Sequence, residues 1–391
     1  MAHILLGWEL GENRGHVRRL EAIAHALRAA GHRLSWGVLR LDLLDGVALP
    51  GEIAFQAPLW PGQHLEVALG RAAGEHRSYA DTLRTLGLAR PGAFAQLVRG
   101  WDAILAATRP DAVFADFAPA LLAACRGRVP VATAGIGFVL PPTGLPHFPT
   151  FDRPGEASVG EADEDLLDVV NAALAATHRA PLPALPALFA ADATIVASFR
   201  ELDPYAAHRA ERPAAPFLTD WSPPVDRPGD EVVAYLSERL TGDAALLDAL
   251  DAIGLPSTVV APGATPRRVG RHVTVSDAPL PFAAIARRAR LVVSNGNTGF
   301  VSAAMLAGLP QATLPHDVQK VLVGRAVTTL KVGIDHPHDT VDWTAWSASV
   351  RALADDMGAR RRAAALATRL IPRMHADPVT RTVASIERLA A

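Results

Sequence analysis

Residues 291–300 read Leu-Val-Val-Ser-Asn-Gly-Asn-Thr-Gly-Phe, an apolar run followed by a turn of small and polar residues. The apolar residues 291–293 predict a buried strand, and residues 299–306 have the spacing of an amphipathic helix. A strand, a glycine-bearing turn and a helix in this order are typical of parallel α/β sheets. The N–H groups at such a helix start can hold a diphosphate, although simple turn chemistry without a ligand explains the same residues.

Short apolar runs alternate with longer amphipathic runs on both sides of this stretch, which predicts two series of strand and helix units. In the first half, the predicted strands are 4–7, 34–38, 112–115 and 129–134, and the predicted helices are 17–30, 101–107, 119–125 and 166–178. In the second half, the predicted strands are 232–236, 257–260, 291–293 and 311–314, and the predicted helices are 244–253, 282–289 and 299–306.

The proline-rich residues 216–230 lack periodicity, which predicts a linker between two domains. A chain of 391 residues is also longer than one hydrophobic core usually supports. We therefore expect Rossmann-like domains over residues 1–215 and 231–391. The last helix either stays with the second domain or packs back on the first.

Composition argues against several classes of function. The formal charge is −2 and the arginine pairs are dispersed, so we expect no nucleic-acid partner. Cys125 is the single cysteine, which rules out an intrachain disulfide and a cysteine cluster for zinc. The N-terminus lacks a basic lead, and glycines and prolines interrupt the weakly polar run 129–145. We expect a cytoplasmic monomer or homodimer without a membrane span.

Two residues that follow predicted strands of the first half are candidates for proton transfer. His16 lies at the start of a predicted helix, where the helix dipole disfavours the imidazolium and keeps the ring able to accept a proton. Alternatively, His16 only caps that helix. Asp116 follows the strand 112–115, where it either orients His16 or caps the helix that starts near Pro119.

Four stretches together resemble signatures of the bacterial family 1-like glycosyltransferases, relatives of macrolide and antibiotic glycosyltransferases and of UDP-glucuronosyltransferases. They are Gly15-His16-Val17 with its helix ending at Gly31-His32, Pro110 to Asp116, residues 135–142, and Ala307-Gly308-Leu309-Pro310-Gln311. The resemblance extends over almost the whole chain. It implies an α/β GT-B fold, in which the parallel sheets of two Rossmann-like domains face each other across a cleft.

The resemblance also implies an activity and its residues. The N-terminal domain would bind a small-molecule acceptor, with His16 as general base, Asp116 as its partner, and Glu12, Asn13 and Phe138 near the acceptor. The C-terminal domain would bind a UDP- or dTDP-type nucleotide sugar. Its implied donor-binding residues are Ser237, Asn295, Gly296, Asn297, Thr298, Gly299, His316, Gln319 and Lys320. The implied reaction inverts the sugar linkage and needs neither a metal nor another cofactor.

The chain departs from the family pattern at three places. Asn295 stands where the family has a histidine, Arg18-Arg19 stands where a proline is common, and Gln319-Lys320 lacks the acidic residue that usually binds sugar hydroxyls. Either Asp317 substitutes for that acid, or Lys320 attracts an anionic group of an unusual donor. The alternative functions are a pseudo-glycosyltransferase that binds a nucleotide or a partner without turnover, and a GT-B enzyme with an atypical donor or epimerase chemistry.

Overall fold

The computed structural model of the protein describes residues 1–11, 14–62, 76–151, 161–226 and 229–391. Within these ranges the chain divides into two compact units. The first unit contains the described residues up to Phe217 together with Ala376–Ala391, and the second contains those of Leu218–His375. The stretch predicted as a linker, 216–230, therefore begins in the first unit and continues in the second.

Six strands form the sheet of the first unit: β1 (His3–Trp8), β2 (Arg33–Val38), β3 (Ile53–Gln56), β4 (Ala112–Asp116), β5 (Val131–Gly135) and β6 (Ala193–Val196). They lie in the order β3-β2-β1-β4-β5-β6, and all neighbouring strands are parallel. The chain reverses direction across the sheet between β1 and β4. Open α/β sheets bind their ligands at such a point, beyond the carboxyl ends of the strands.

Five described helices flank this sheet in chain order: α1 (Arg14–Ala29), α2 (Tyr79–Thr85), α3 (Ala93–Thr108), α4 (Pro119–Cys125) and α5 (Glu161–Ala176). The buried face of α1 recurs at helical spacing, with Val17, Leu20, Ile23, Ala24 and Leu27. These side chains share a hydrophobic core with the inward residues of β1 and β2.

Seven strands form the sheet of the second unit: β7 (Glu231–Tyr235), β8 (Ser257–Val260), β9 (Arg267–Val269), β10 (Val273–Ser276), β11 (Ala289–Ser294), β12 (Gln311–Thr313) and β13 (Gly333–Asp335). Their order is β13-β12-β11-β7-β8-β10-β9. All pairs are parallel except β9 with β10. Here the chain reverses between β7 and β11, so this unit repeats the arrangement of the first.

The remaining helices are α6 (Glu238–Thr241), α7 (Ala244–Ala252), α8 (Phe282–Arg288), α9 (Thr298–Leu306), α10 (Val318–Thr329), α11 (Trp343–Asp355), α12 (Met357–Leu370) and α13 (Pro378–Leu389). The last of them, α13, lies in the first unit and packs on α1 and β5. The two mainly parallel sheets with flanking helices confirm the predicted α/β class of fold. None of the helices in the described ranges is both long and apolar enough to cross a membrane.

Two predicted helix bounds were wrong in a way that concerns the site. The first helix begins at Arg14, so His16 lies inside its first turn and does not precede it. The helix predicted over 101–107 begins at Ala93, directly after Gly92, whose φ of 73° lets the chain turn sharply into the helix.

Candidate active site

His16 and Asp116 meet at the point where the first sheet reverses direction. Trp8 at the end of β1 is the register partner of Asp116 at the end of β4, so the segments beyond both strands start side by side. The Nδ1 atom of His16 lies 3.1 Å from the Oδ2 atom of Asp116. Asp116 is fully buried, whereas 12% of the His16 side chain is exposed. Because an ionised carboxylate only accepts hydrogen bonds, Nδ1 carries the proton and Nε2 is the basic nitrogen.

The capping role considered for Asp116 is wrong. Helix α4 begins after Ala118 without a hydrogen bond from a capping side chain. Instead, Oδ1 of Asp116 accepts a hydrogen bond from the Arg19 guanidinium, while Oδ2 faces His16. Burial alone would raise the pKa of the Asp116 carboxyl, but Arg19 and His16 hold that pKa below its ordinary value. The carboxylate therefore stays ionised between two partners.

Aromatic and glycine residues fix the His16 ring from the other sides. The ring stacks on Trp8 with 5.3 Å between centroids, and Phe117 lies 6.2 Å away on a tilt of 25°. Gly11 has a φ of +84°, and a Cβ atom built on it would lie 2.4 Å from Nε2 of His16. Only glycine suits this position, because any larger residue would meet Nε2 of His16.

Glu9 was missed by the sequence analysis. Its fully buried carboxylate accepts hydrogen bonds from the Trp60 indole at 2.9 Å, from the backbone N–H of Ala120 at 3.1 Å, and from that of Leu121. Burial raises the pKa of Glu9 to about 7, against the opposing effect of these donors. Glu9 thereby ties the loop that leads to His16 to the start of α4. The only signal in the sequence was an acid directly after an apolar strand.

The predicted acceptor residues divide into two groups. Glu12 and Asn13 lie outside the described residues. Phe138 is almost fully buried, with its ring 5.2 Å from that of Tyr79 and 5.9 Å from that of Phe151. Phe138 lies in the segment that follows β5, and its role in acceptor binding stays a prediction.

The predicted donor-binding residues of the second unit follow three adjacent strands. Ser294 at the end of β11 has register partners in both neighbours, Tyr235 of β7 and Thr313 of β12. Ser237 follows β7 and is exposed, the turn 295–297 follows β11, and residues 316–320 follow β12. The structure therefore brings all nine predicted donor residues to one edge of the sheet, at its reversal point.

The turn after β11 presents the start of α9. Gly296 has a φ of +83°, and a Cβ atom on it would lie 3.1 Å from the carbonyl oxygen of Lys320. Asn297 occupies the capping position of α9, but its side chain makes no capping hydrogen bond. The first N–H groups of the helix, at Thr298 and Gly299, are therefore not satisfied by that side chain. Asn295 is buried, and its Oδ1 atom has no hydrogen-bond partner among the described residues.

Side-chain hydrogen bonds hold the residues after β12 in place. The Nζ atom of Lys320, whose side chain is 6% exposed, donates to Nε2 of His316 at 2.9 Å and to the Asp317 carboxylate. The amide nitrogen of Gln319 donates to the Thr298 hydroxyl at 3.2 Å. The Lys320 charge thus already has a carboxylate partner within the protein, which weighs against an anionic donor group as its main partner.

Comparison with solved structures identifies the fold. The chain is similar to CalG4, the calicheamicin glycosyltransferase, with a TM-score of 0.68, 18% identity, and coverage of 99% of this chain and 98% of that chain. It is also similar to the glycosyltransferase VinC, solved in complex with DTDP, with a TM-score of 0.64, 16% identity, and coverage of 99% of each chain. These are GT-B glycosyltransferases, and the predicted GT-B fold is confirmed.

A third similar structure is the spinosyn rhamnosyltransferase SpnG complexed with spinosyn aglycone. Its TM-score is 0.64 at 19% identity, with coverage of 97% of this chain and 99% of that chain. No curated protein matches the chain by sequence. Residues 259–388 match the family model of the erythromycin biosynthesis protein CIII-like C-terminal domain. This part of the chain is similar to that family, and the chain as a whole has the fold of the GT-B glycosyltransferases.

Proposed function

We propose that the protein is an inverting, metal-independent glycosyltransferase that moves a sugar from a UDP- or dTDP-type donor to a hydroxyl group of a small-molecule acceptor. The observation that carries this proposal is the His16 and Asp116 pair at the reversal point of the first sheet, 3.1 Å apart. A base with a fixed tautomer at a ligand-binding edge is what activation of a hydroxyl group requires.

The acceptor hydroxyl loses its proton to Nε2 of His16 in the proposed reaction. The acceptor oxygen forms a bond to the anomeric carbon, while the bond from that carbon to the diphosphate oxygen breaks and its electron pair leaves with the diphosphate. Attack from the side opposite the leaving group inverts the anomeric configuration. Asp116 keeps its hydrogen bond to Nδ1 and stabilises the imidazolium that forms.

The diphosphate of the donor would lie at the start of α9. There the backbone N–H groups of Thr298 and Gly299 and the dipole of a helix of 9 residues favour an anion. Asn295 and the Ser237 hydroxyl would donate from the two flanking strand ends. Fixed donors of this kind stabilise charge on the leaving group in the transition state, so the proposal assigns no step to a metal ion. The complex of VinC with DTDP supports a donor of the dTDP type.

The sugar would lie beside the segment after β12, with His316, Gln319 and Asp317 as its polar neighbours. Gln319 is held by Thr298 and Asp317 by Lys320, so both side chains are fixed before a donor binds. Asp317 has 43% of its side chain exposed and is the carboxylate available to accept hydrogen bonds from sugar hydroxyls.

Binding without turnover is the second candidate, because Asn295 replaces the histidine of the family and its Oδ1 atom is unpartnered among the described residues. Two measurements on the same samples separate the transferase from a protein that only binds. Thermal unfolding with UDP, dTDP, GDP and their sugars detects binding, and mass spectrometry detects glycoside formation. A nucleotide present at a hundredfold its Kd raises the free energy of unfolding of the protein by about 2.7 kcal/mol. Stabilisation together with product supports the transferase, and stabilisation with no product from any donor and acceptor pair supports binding only.

A further inference from the structure

Arg19 shares the Asp116 carboxylate with His16. The two side chains are three residues apart on α1 and therefore lie on one face of the helix. Each binds its own oxygen of Asp116: Oδ2 faces His16, and Oδ1 accepts from Arg19. Asp116 is fully buried and only 9% of the Arg19 side chain is exposed, so water screens this pair weakly.

The surroundings hold the Arg19 guanidinium in place. Its central carbon lies 5.1 Å from the centre of the Phe217 ring, and one terminal nitrogen lies 3.5 Å from the carbonyl oxygen of Ala134. All of these residues belong to the first unit. Arg19 therefore places a permanent positive charge on the far side of the carboxylate that orients the base.

We propose that Arg19 tunes the base, because it withdraws part of the Asp116 charge from His16 and so lowers the affinity of the imidazole for a proton. The proposal rests on the proposed role of His16 as general base. In a pair of histidine and aspartate alone, the full carboxylate charge would favour the imidazolium, which cannot accept a proton. With Arg19 present, Asp116 still fixes the ring and its tautomer, but the carboxylate shares its charge between two partners. Arg19 is thus a positioning residue that acts through Asp116.

The other contacts of His16 within the described part of the chain do not carry charge. They are the rings of Trp8 and Phe117 and the backbone of Gly11. Glu9 lies on the loop between β1 and α1, but its carboxylate is bound to Trp60 and to the start of α4. Asp116 and Arg19 are therefore the charged groups through which the ring is tuned.

The pH dependence of kcat/KM tests the proposal in the intact protein. Arg19→Gln keeps a hydrogen-bond donor for Asp116 but removes the charge, and Arg19→Lys keeps the charge. Arg18→Gln is the matched control, because Arg18 is the exposed neighbour on the same helix. We expect the acidic limb of the profile to move to higher pH by about one pH unit in Arg19→Gln, and to stay near its original position in Arg19→Lys and Arg18→Gln.

A titration of the His16 ring by NMR, assigned with His16→Gln, gives a readout that does not need activity. If Arg19→Gln titrates at the same pH as the wild type, the proposal is overturned. A second outcome separates this proposal from the proposed function. If Arg19→Gln shifts the titration of the His16 ring but leaves the pH profile of kcat/KM unchanged, Arg19 does tune His16, but His16 is not the base. The proposed role of His16 is then wrong, and the proposal for Arg19 stands. Should Arg19→Gln not fold, Arg19→Met replaces it in the ring titration, because methionine also removes the charge. A titration point in Arg19→Met equal to that in Arg18→Gln contradicts the proposal.

Discussion

The Nδ1 atom of His16 lies 3.1 Å from the Oδ2 atom of Asp116, although the two residues are 100 positions apart in the chain. The parallel pairing of β1 with β4 makes this contact, because the two strands end at the same level of the sheet. The contact leaves Nε2 of His16 as the atom that can take a proton from a bound hydroxyl group.

Gly11→Ala is expected to lower both stability and activity. An alanine with the φ of +84° found at Gly11 is strained by about 1–2 kcal/mol, and its Cβ atom would lie 2.4 Å from Nε2 of His16. Urea unfolding and steady-state kinetics measure the two effects. Gly15→Ala is the matched control, since a Cβ atom at Gly15 meets nothing within 4 Å. Equal activity of Gly11→Ala and Gly15→Ala would show that a side chain at position 11 does not obstruct Nε2 of His16.

Glu9→Gln is expected to reduce the dependence of stability on pH. Burial raises the pKa of Glu9 from its ordinary value of 4.5 to about 7, so between these values the folded protein keeps a proton that the unfolded chain releases. Glu9 therefore contributes stability that is complete below pH 4.5 and is lost as the pH rises toward 7. The loss is about 3 kcal/mol.

Urea unfolding at about pH 5 and about pH 8 measures this loss. The free energy of unfolding of the wild type should decrease between the two pH values, and that of Glu9→Gln should lack this decrease. Glu21→Gln, an exposed position on α1, should behave like the wild type. The same decrease in Glu9→Gln and in the wild type would contradict the account of this buried carboxylate.

Asn295→Asp is expected to weaken binding of dTDP or UDP by at least about 10-fold, because it puts a negative charge in a buried position beside the proposed diphosphate site. Thymidine or uridine serves as the control ligand, since neither carries a phosphate. Calorimetric titration of both ligands separates the effects. An equal loss of affinity for nucleoside and nucleotide would mean that the variant damages the fold and that Asn295 does not lie beside the diphosphate.

Local patterns predicted the regular elements well where apolar periodicity is strong. The strand over 257–260 and the helix over 119–125 have the predicted bounds. The short strands β3, β6, β9, β10 and β13 were missed, because three or four residues carry too little periodicity to be distinguished from loops. The helices after residue 317 were not predicted individually either.

The residues alone left the pairing of Asp116 with His16 open, and the family resemblance implied that pairing. A carboxylate at the end of a strand suits both a helix cap and a histidine partner, so the sequence left both roles open for Asp116. The long-range pairing of strands decided between them. The contacts of Arg19 and Glu9 were missed for the same reason, since each residue acts on a group that is distant in the chain. Arg19 was noted only as a departure from the family pattern.

The rate of glycoside formation by the wild type and by His16→Ala, with the anomeric linkage of the product determined by NMR, tests whether His16 is the base of an inverting transferase. His25→Ala, at an exposed position of the same helix, is the control. We predict an inverted linkage, a rate lower by about 100-fold or more in His16→Ala at nearly unchanged donor affinity, and a normal rate in the control. A retained linkage, or equal rates for His16→Ala and the wild type, would contradict the account.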